Sequence, residues 1–126
     1  MEDYILKPIR ASLVLTDAYV AGTVLDLSAK YDKIALLLDF TKGSLTTAEI
    51  KVEFSPDNIN WYQETASAIT SGVSADTLKS HQIDTTGKYR LVIDTLDRYM
   101  KVSVKGTGTM TNSLMKVEAV LVDTAN

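Results

Sequence analysis

His81 is the only histidine available for acid–base or nucleophilic chemistry, and its nearest sequence partners for such work are Ser80 and Asp84. Successive residues of a strand point to opposite faces, so Ser80 and His81 do not form a nucleophile–base pair along one strand. No serine sits in a glycine-flanked nucleophile elbow. Glu49 and Glu53 share a strand face, but four strand residues span ~13 Å. Retaining glycosidases need about 5–5.5 Å between carboxyls and inverting ones about 6.5–9.5 Å. Lys51 between the two glutamates instead reads as part of a solvated, charge-alternating face. The run Asp57-Asn58-Ile59-Asn60 offers oxygen ligands of the kind Ca²⁺ takes, without EF-hand spacing or its late bidentate Glu. Turn formation after Pro56 accounts for the same residues. The expectation is therefore no catalytic residue, no metal and no cofactor.

Aromatic and basic residues offer binding chemistry instead. Trp61 and Tyr62 could stack on a sugar ring, but alternation puts neighbours on opposite faces, so one of the two is expected in the core. Trp61, across the turn from Phe54, is expected to fix hairpin register. Lys88, Arg90, Arg98, Lys101 and Lys105 are expected on neighbouring strands as a modest positive patch. A net charge of −3 and a pI near 5.0 give no basic footprint for nucleic acid.

The elements that carry these residues follow from 126 residues with 45% hydrophobic and 23% charged side chains, enough for one cored domain. That balance argues against disorder, collagen-like repeats and a membrane-spanning protein. Cysteine is absent, which excludes disulfides, thiolate metal sites and cysteine nucleophiles. The acidic start Met1-Glu2-Asp3-Tyr4, and an apolar stretch at 11–15 soon cut by Asp17, lead us to expect no export signal and folding in a reducing cytoplasm.

Period-two alternation marks strands at 48–54 (Ala48, Ile50, Val52, Phe54 inward), 88–94 (Tyr89, Leu91, Ile93), 99–105 (Met100, Val102, Val104) and 116–122 (Val117, Ala119, Leu121). Ile34 to Phe40 is apolar on both faces and also fits helical spacing. The Thr/Ser cluster and Gly43 after it favour a central strand whose second face something must cover. Segments 10–15, 19–27 and 77–83 supply further strands. Residues 65–76, small and polar, read as a long surface loop with at most one turn of helix. About eight strands and no convincing amphipathic helix predict an all-β antiparallel β-sandwich, with a jelly roll as the leading topology.

The run Ile50-Lys51-Val52-Glu53-Phe54-Ser55-Pro56-Asp57-Asn58-Ile59-Asn60-Trp61-Tyr62 resembles a V-x-F-S-x-D-G-x-x-W hairpin. That hairpin occurs in discoidin-like and other jelly-roll modules and in small β-sandwich proteins of tailed-bacteriophage virions. Asn58 stands where glycine is usual and still permits a left-handed backbone. The stretch from Asp84 through Arg90, with Tyr99-Met100-Lys101-Val102 beyond it, is similar to the second half of such phage proteins. The resemblance implies a non-enzymatic virion component assembled in the host cytoplasm. Its expected form is a capsid decoration (auxiliary) protein, commonly a homotrimer, that binds the major capsid protein lattice and neither nucleic acid nor membrane.

The residues expected to meet partners are Tyr4, Ile5 and Leu6, on an N-terminal arm (1–12) ahead of a single sandwich domain (13–126), together with Val120 and Val122 on an apolar outer strand face. The alternative is a glycan-binding jelly-roll module of a phage tail or baseplate, with Trp61 or Tyr62 as the stacking platform.

Overall fold

The computed structural model describes residues 3–27, 31–70, 72–93 and 97–123. They form strands β1 (Asp3–Val14), β2 (Val20–Ala21), β3 (Leu25–Asp26), β4 (Lys33–Thr41), β5 (Leu45–Ser55), β6 (Tyr62–Gln63), β7 (Thr65–Thr70), β8 (Val73–Leu78), β9 (His81–Ile83), β10 (Gly87–Ile93), β11 (Tyr99–Gly108) and β12 (Leu114–Asp123). All pairings are antiparallel. One sheet has the order β1-β12-β4-β10. The other is centred on β11 and β5, with β2 and β3 both along the free side of β11, and β6 and β9 both along that of β5. The two sheets together hold ten strands, against the eight or so expected from sequence, because short segments share a rank at each edge of the second sheet.

Alternation builds the core. Inward residues of β4 (Ile34, Leu36, Leu38, Phe40), β5 (Ala48, Ile50, Val52, Phe54), β11 (Met100, Val102, Val104) and β12 (Met115, Val117, Ala119, Leu121) are each 2% exposed or less, in one cluster drawn from both sheets. Two inner faces packed through one apolar layer make a β-sandwich. β4 is the central strand that the two-sided apolar run suggests, held between β12 and β10. The expected strand 88–94 is β10; Asp94 lies outside the described residues.

The two sheets are tied at their corners. Thr23 N–H donates to the Ile9 carbonyl of β1, and Gly22 N–H donates to Val102 of β11, each at 2.9 Å. A Cβ at Gly22 would sit 2.6 Å from the Ile9 side chain, so only glycine fits this crossing. At the other end the buried Ser113 hydroxyl donates to the Lys42 carbonyl at 2.6 Å and accepts from Leu45 N–H at 3.3 Å.

Two expectations are corrected. Residues 3–12 are not an arm: they belong to β1, which runs on to Val14 and pairs with β12 of the same chain, from Asp3 opposite Asp123 to Val14 opposite Leu114. Pro8 and two register shifts, between Pro8 and Arg10 and between Arg10 and Leu13, break its pattern. Arg10 gathers the carbonyls there, donating from Nε to Met115 at 3.0 Å and from Nη2 to Leu13 and Val14 at 3.1 Å. Residues 65–76 are likewise not a loop, since β7 and β8 pair from Thr65 opposite Leu78 to Thr70 opposite Val73. This hairpin sits between β6 and β9 in sequence and joins neither sheet.

Leu36→Ala, at a site with no exposed surface, is expected to cost about 2–5 kcal/mol in urea unfolding. Val92→Ala, at a position 79% exposed, should stay within ~0.5 kcal/mol. Equal losses would contradict the placement of the core.

Candidate functional site

The outer face of the four-stranded sheet brings several sequence-derived candidates together. Tyr4 lies opposite Val122 and Leu6 opposite Val120 on β1 and β12. On the far side of β12, Val120 faces Ala35 of β4, and Ala35 faces Val92 of β10. Directly paired residues share a face, so Leu6, Val120, Ala35 and Val92 form one apolar row across all four strands. Tyr4 and Val122 flank it at one end. Tyr4 and Leu6 are 66% and 55% exposed, while Val120 and Val122 are half-buried. A shallow depression among Tyr4, Ala35, Arg90, Val92, Val120 and Val122 marks the middle of this surface.

Moving along the strands, the same face turns charged. Leu37 lies between Glu118 and Arg90, and in the next row Asp39 lies between Lys116 and Lys88. Lys116 Nζ approaches Glu118 Oε1 at 3.5 Å. The face is thus an apolar half bordered by a mixed-charge half, the composition of an interaction surface with a polar rim. Val92 belongs to this patch although the sequence reading did not name it. The signal was present: position 92 is an outward, apolar step in an otherwise charged series of Lys88 and Arg90.

Two candidates fall elsewhere. Ile5 pairs with Leu121, on the core side of β1, and is half-buried there. Tyr62 lies on the other sheet, opposite Phe54, and is 63% exposed. The register partner of Phe54 is therefore Tyr62 and not Trp61, which precedes β6.

The outer face of the second sheet is closed on itself by ion pairs and rings. Lys105 reaches Glu49 at 3.1 Å, and Glu53 accepts Lys51 at 3.6 Å and Lys101 at 3.9 Å. Tyr19 lies across this layer, its ring 4.5 Å from Lys51 Nζ and 4.9 Å from Lys105 Nζ. Burial, and then the nearby Glu49 charge, raise its phenol pKa, while the Ser80 hydroxyl bonds to it. Trp61 carries Lys101 Nζ at 4.5 Å from its ring centre, so one ring face is already occupied. The expected positive patch does not form. Lys88 and Arg90 lie on the four-stranded sheet, and Lys101 and Lys105 lie on the other among glutamates. Arg98 makes a bidentate pair with Asp26, both contacts at 3.0 Å.

His81 has a structural position. Its Nε2 lies 3.1 Å from Glu64 Oε1, at the neck where the β7–β8 hairpin leaves the sheet. Lys79 N–H donates to the Glu64 carbonyl at 2.8 Å, and Gln63 Nε2 to the Lys79 carbonyl at 3.0 Å. Ser80 bonds to Tyr19, and Asp84 takes a bond from Thr85 at 3.2 Å.

The 55–60 turn also organises itself. Asp57 Oδ1 accepts from Ile59 N–H at 2.9 Å, Asn60 N–H at 2.8 Å and the Ser55 hydroxyl at 2.9 Å, while Oδ2 accepts from the Asn60 amide at 2.8 Å. Asn58 takes the left-handed conformation, with φ of 62°. These donors hold the Asp57 carboxyl well below the usual carboxylate range, the Asn60 and Ile59 N–H groups most of all. Among the described residues no group of three or more His, Cys, Asp or Glu side chains is placed to hold a metal.

A carboxyl with a depressed folded pKa adds stability that is present above its unfolded value and lost as pH falls through the folded one. The Ile59 and Asn60 amide shifts should therefore hold through about pH 4, the ordinary aspartate range, and move only well below it. A midpoint within that range, or an Asp57→Ala variant whose Ile59 and Asn60 amides exchange no faster, would contradict this role. No protein-family model matches the chain, and a search of curated proteins returns no match.

Proposed function

We propose that the chain is a structural, non-enzymatic component of a tailed-bacteriophage virion. In this reading it is an auxiliary protein that decorates the capsid by docking on the lattice of major capsid protein. The observation that carries the reading is the apolar half of the outer face of the four-stranded sheet, with Tyr4 and Leu6 most exposed and Val120 and Val122 beside them. Burying side chains of this size contributes about 1.5–3 kcal/mol each, which suits a surface made to be covered.

The strand order supports the same reading. With β2 and β3 taken as one rank, and β6 and β9 as another, the order β1-β12-β4-β10 over β2/β3-β11-β5-β6/β9 supports a jelly-roll reading of the sandwich. Jelly rolls serve both as virion domains and as lectins. Fold by itself does not choose between them, so the choice rests on the apolar face. A glycan-binding role retains one observation, the exposed ring of Tyr62.

Leu6→Glu should reduce co-sedimentation with capsids about thirtyfold or more, the loss expected when a buried anchor worth ~2 kcal/mol is replaced by a charge. Ile59→Glu, at a still more open position on the 55–60 turn, should leave it unchanged. Wild-type protein that does not sediment with capsids, or glycan binding abolished by Tyr62→Ala, would overturn the reading.

A further inference from the structure

β10 differs from the other sheet edges of the sandwich. On the opposite edge of its sheet, β1 is interrupted by Pro8 and two register shifts, devices that discourage further pairing. In the second sheet the edge ranks consist of β2, β3 and β6, of two residues each, and β9, of three. β10 runs for seven residues, pairs among the described residues only with β4, and keeps an unbroken register from Gly87 opposite Phe40 to Ile93 opposite Ile34. A regular edge of this length is a template for another strand.

Two of its inward side chains are incompletely covered in the way a missing neighbour would leave them, while Ile93 is buried. Tyr89 and Leu91 point inward but remain half-buried, whereas Leu38 and Leu36, their partners on β4, are at most 2% exposed. On the outer side Val92 is 79% exposed.

We infer that β10 pairs antiparallel with β10 of a second copy of this chain, about a dyad at Leu91. The sequence of the strand argues against two neighbouring registers. A dyad at Tyr89 would set Lys88 against Arg90, and a dyad at Arg90 would set one guanidinium against the other; like charges directly opposite are destabilising. With the dyad at Leu91, Arg90 faces Val92 and Tyr89 faces Ile93. The result is one eight-stranded sheet in which the outer faces of the two copies are continuous. The contact is isologous and closes at two copies, where the family resemblance implies three. This pairing does not depend on the capsid reading, because it forms between free copies.

Native mass spectrometry and light scattering over a concentration series, without particles, test it. The wild-type chain should be a dimer, and the Gly87–Ile93 amides should exchange more slowly as concentration rises. Val92→Lys sets a lysine against Arg90 twice across the dyad and should weaken the dimer about tenfold. Val92→Glu sets a carboxylate there and should leave the dimer as tight or tighter. Both changes are at an exposed position, and urea unfolding of each variant verifies that the fold is kept. A monomer, a trimer, unprotected β10 amides, or equal weakening by Lys and Glu would overturn the pairing. A monomer that still binds capsids would overturn the pairing alone, and a dimer that does not bind them would overturn the capsid reading alone.

Discussion

Four strands, β4, β5, β11 and β12, bury alternate residues against one another in a single apolar layer, and the rest of the chain is arranged by that layer. Because a strand alternates strictly, burying Leu36 and Leu38 obliges Ala35, Leu37 and Asp39 to face the other way. The same holds for Val120 and Val122 once Ala119 and Leu121 are inside. A one-residue slip of β12 against β4 would exchange the two sets, so the core fixes the composition of both outer faces.

The two sheets treat those outer faces differently. On the six-stranded sheet, glutamates and lysines of β5 and β11 pair across the strands, and Tyr19 and Trp61 lie over the ammonium groups. Each such pair contributes little, but together they occupy much of the charged surface of the layer. On the four-stranded sheet the row Leu6, Val120, Ala35 and Val92 has no such layer of ion pairs and rings over it among the described residues. A surface of this kind lowers solubility unless something occupies it, which is why the functional reading settles on this face.

Much of this was legible in the sequence, for a physical reason. Wherever one face is buried and the other solvated, as in 48–54 and 99–105, period two is written into the residues, and β5 and β11 follow it. The 34–40 run, apolar on both faces, signalled a central strand, and β4 is one, between β12 and β10. The failures have equally definite causes. The β7–β8 hairpin joins neither sheet, so its small residues never needed an apolar period. β1 hid behind Pro8 and its register shifts, which mark an edge strand but resemble a frayed arm. Lys88 and Arg90 parted from Lys101 and Lys105 because consecutive strands β10 and β11 belong to different sheets, a connection that alternation cannot reveal. Tyr62 took the register position opposite Phe54 assigned to Trp61, because pairing across a turn depends on its length as well as its residue types.

The central claim is that the outer face of the four-stranded sheet is the surface covered when the chain is assembled. Covalent side-chain footprinting of the protein bound to capsids, compared with the free protein, measures this directly. The account predicts that Tyr4, Leu6, Val120 and Val122 lose labelling on assembly while Ile59 and Tyr62 keep it. Unchanged labelling at the first four, with protection appearing at Tyr62, would contradict it.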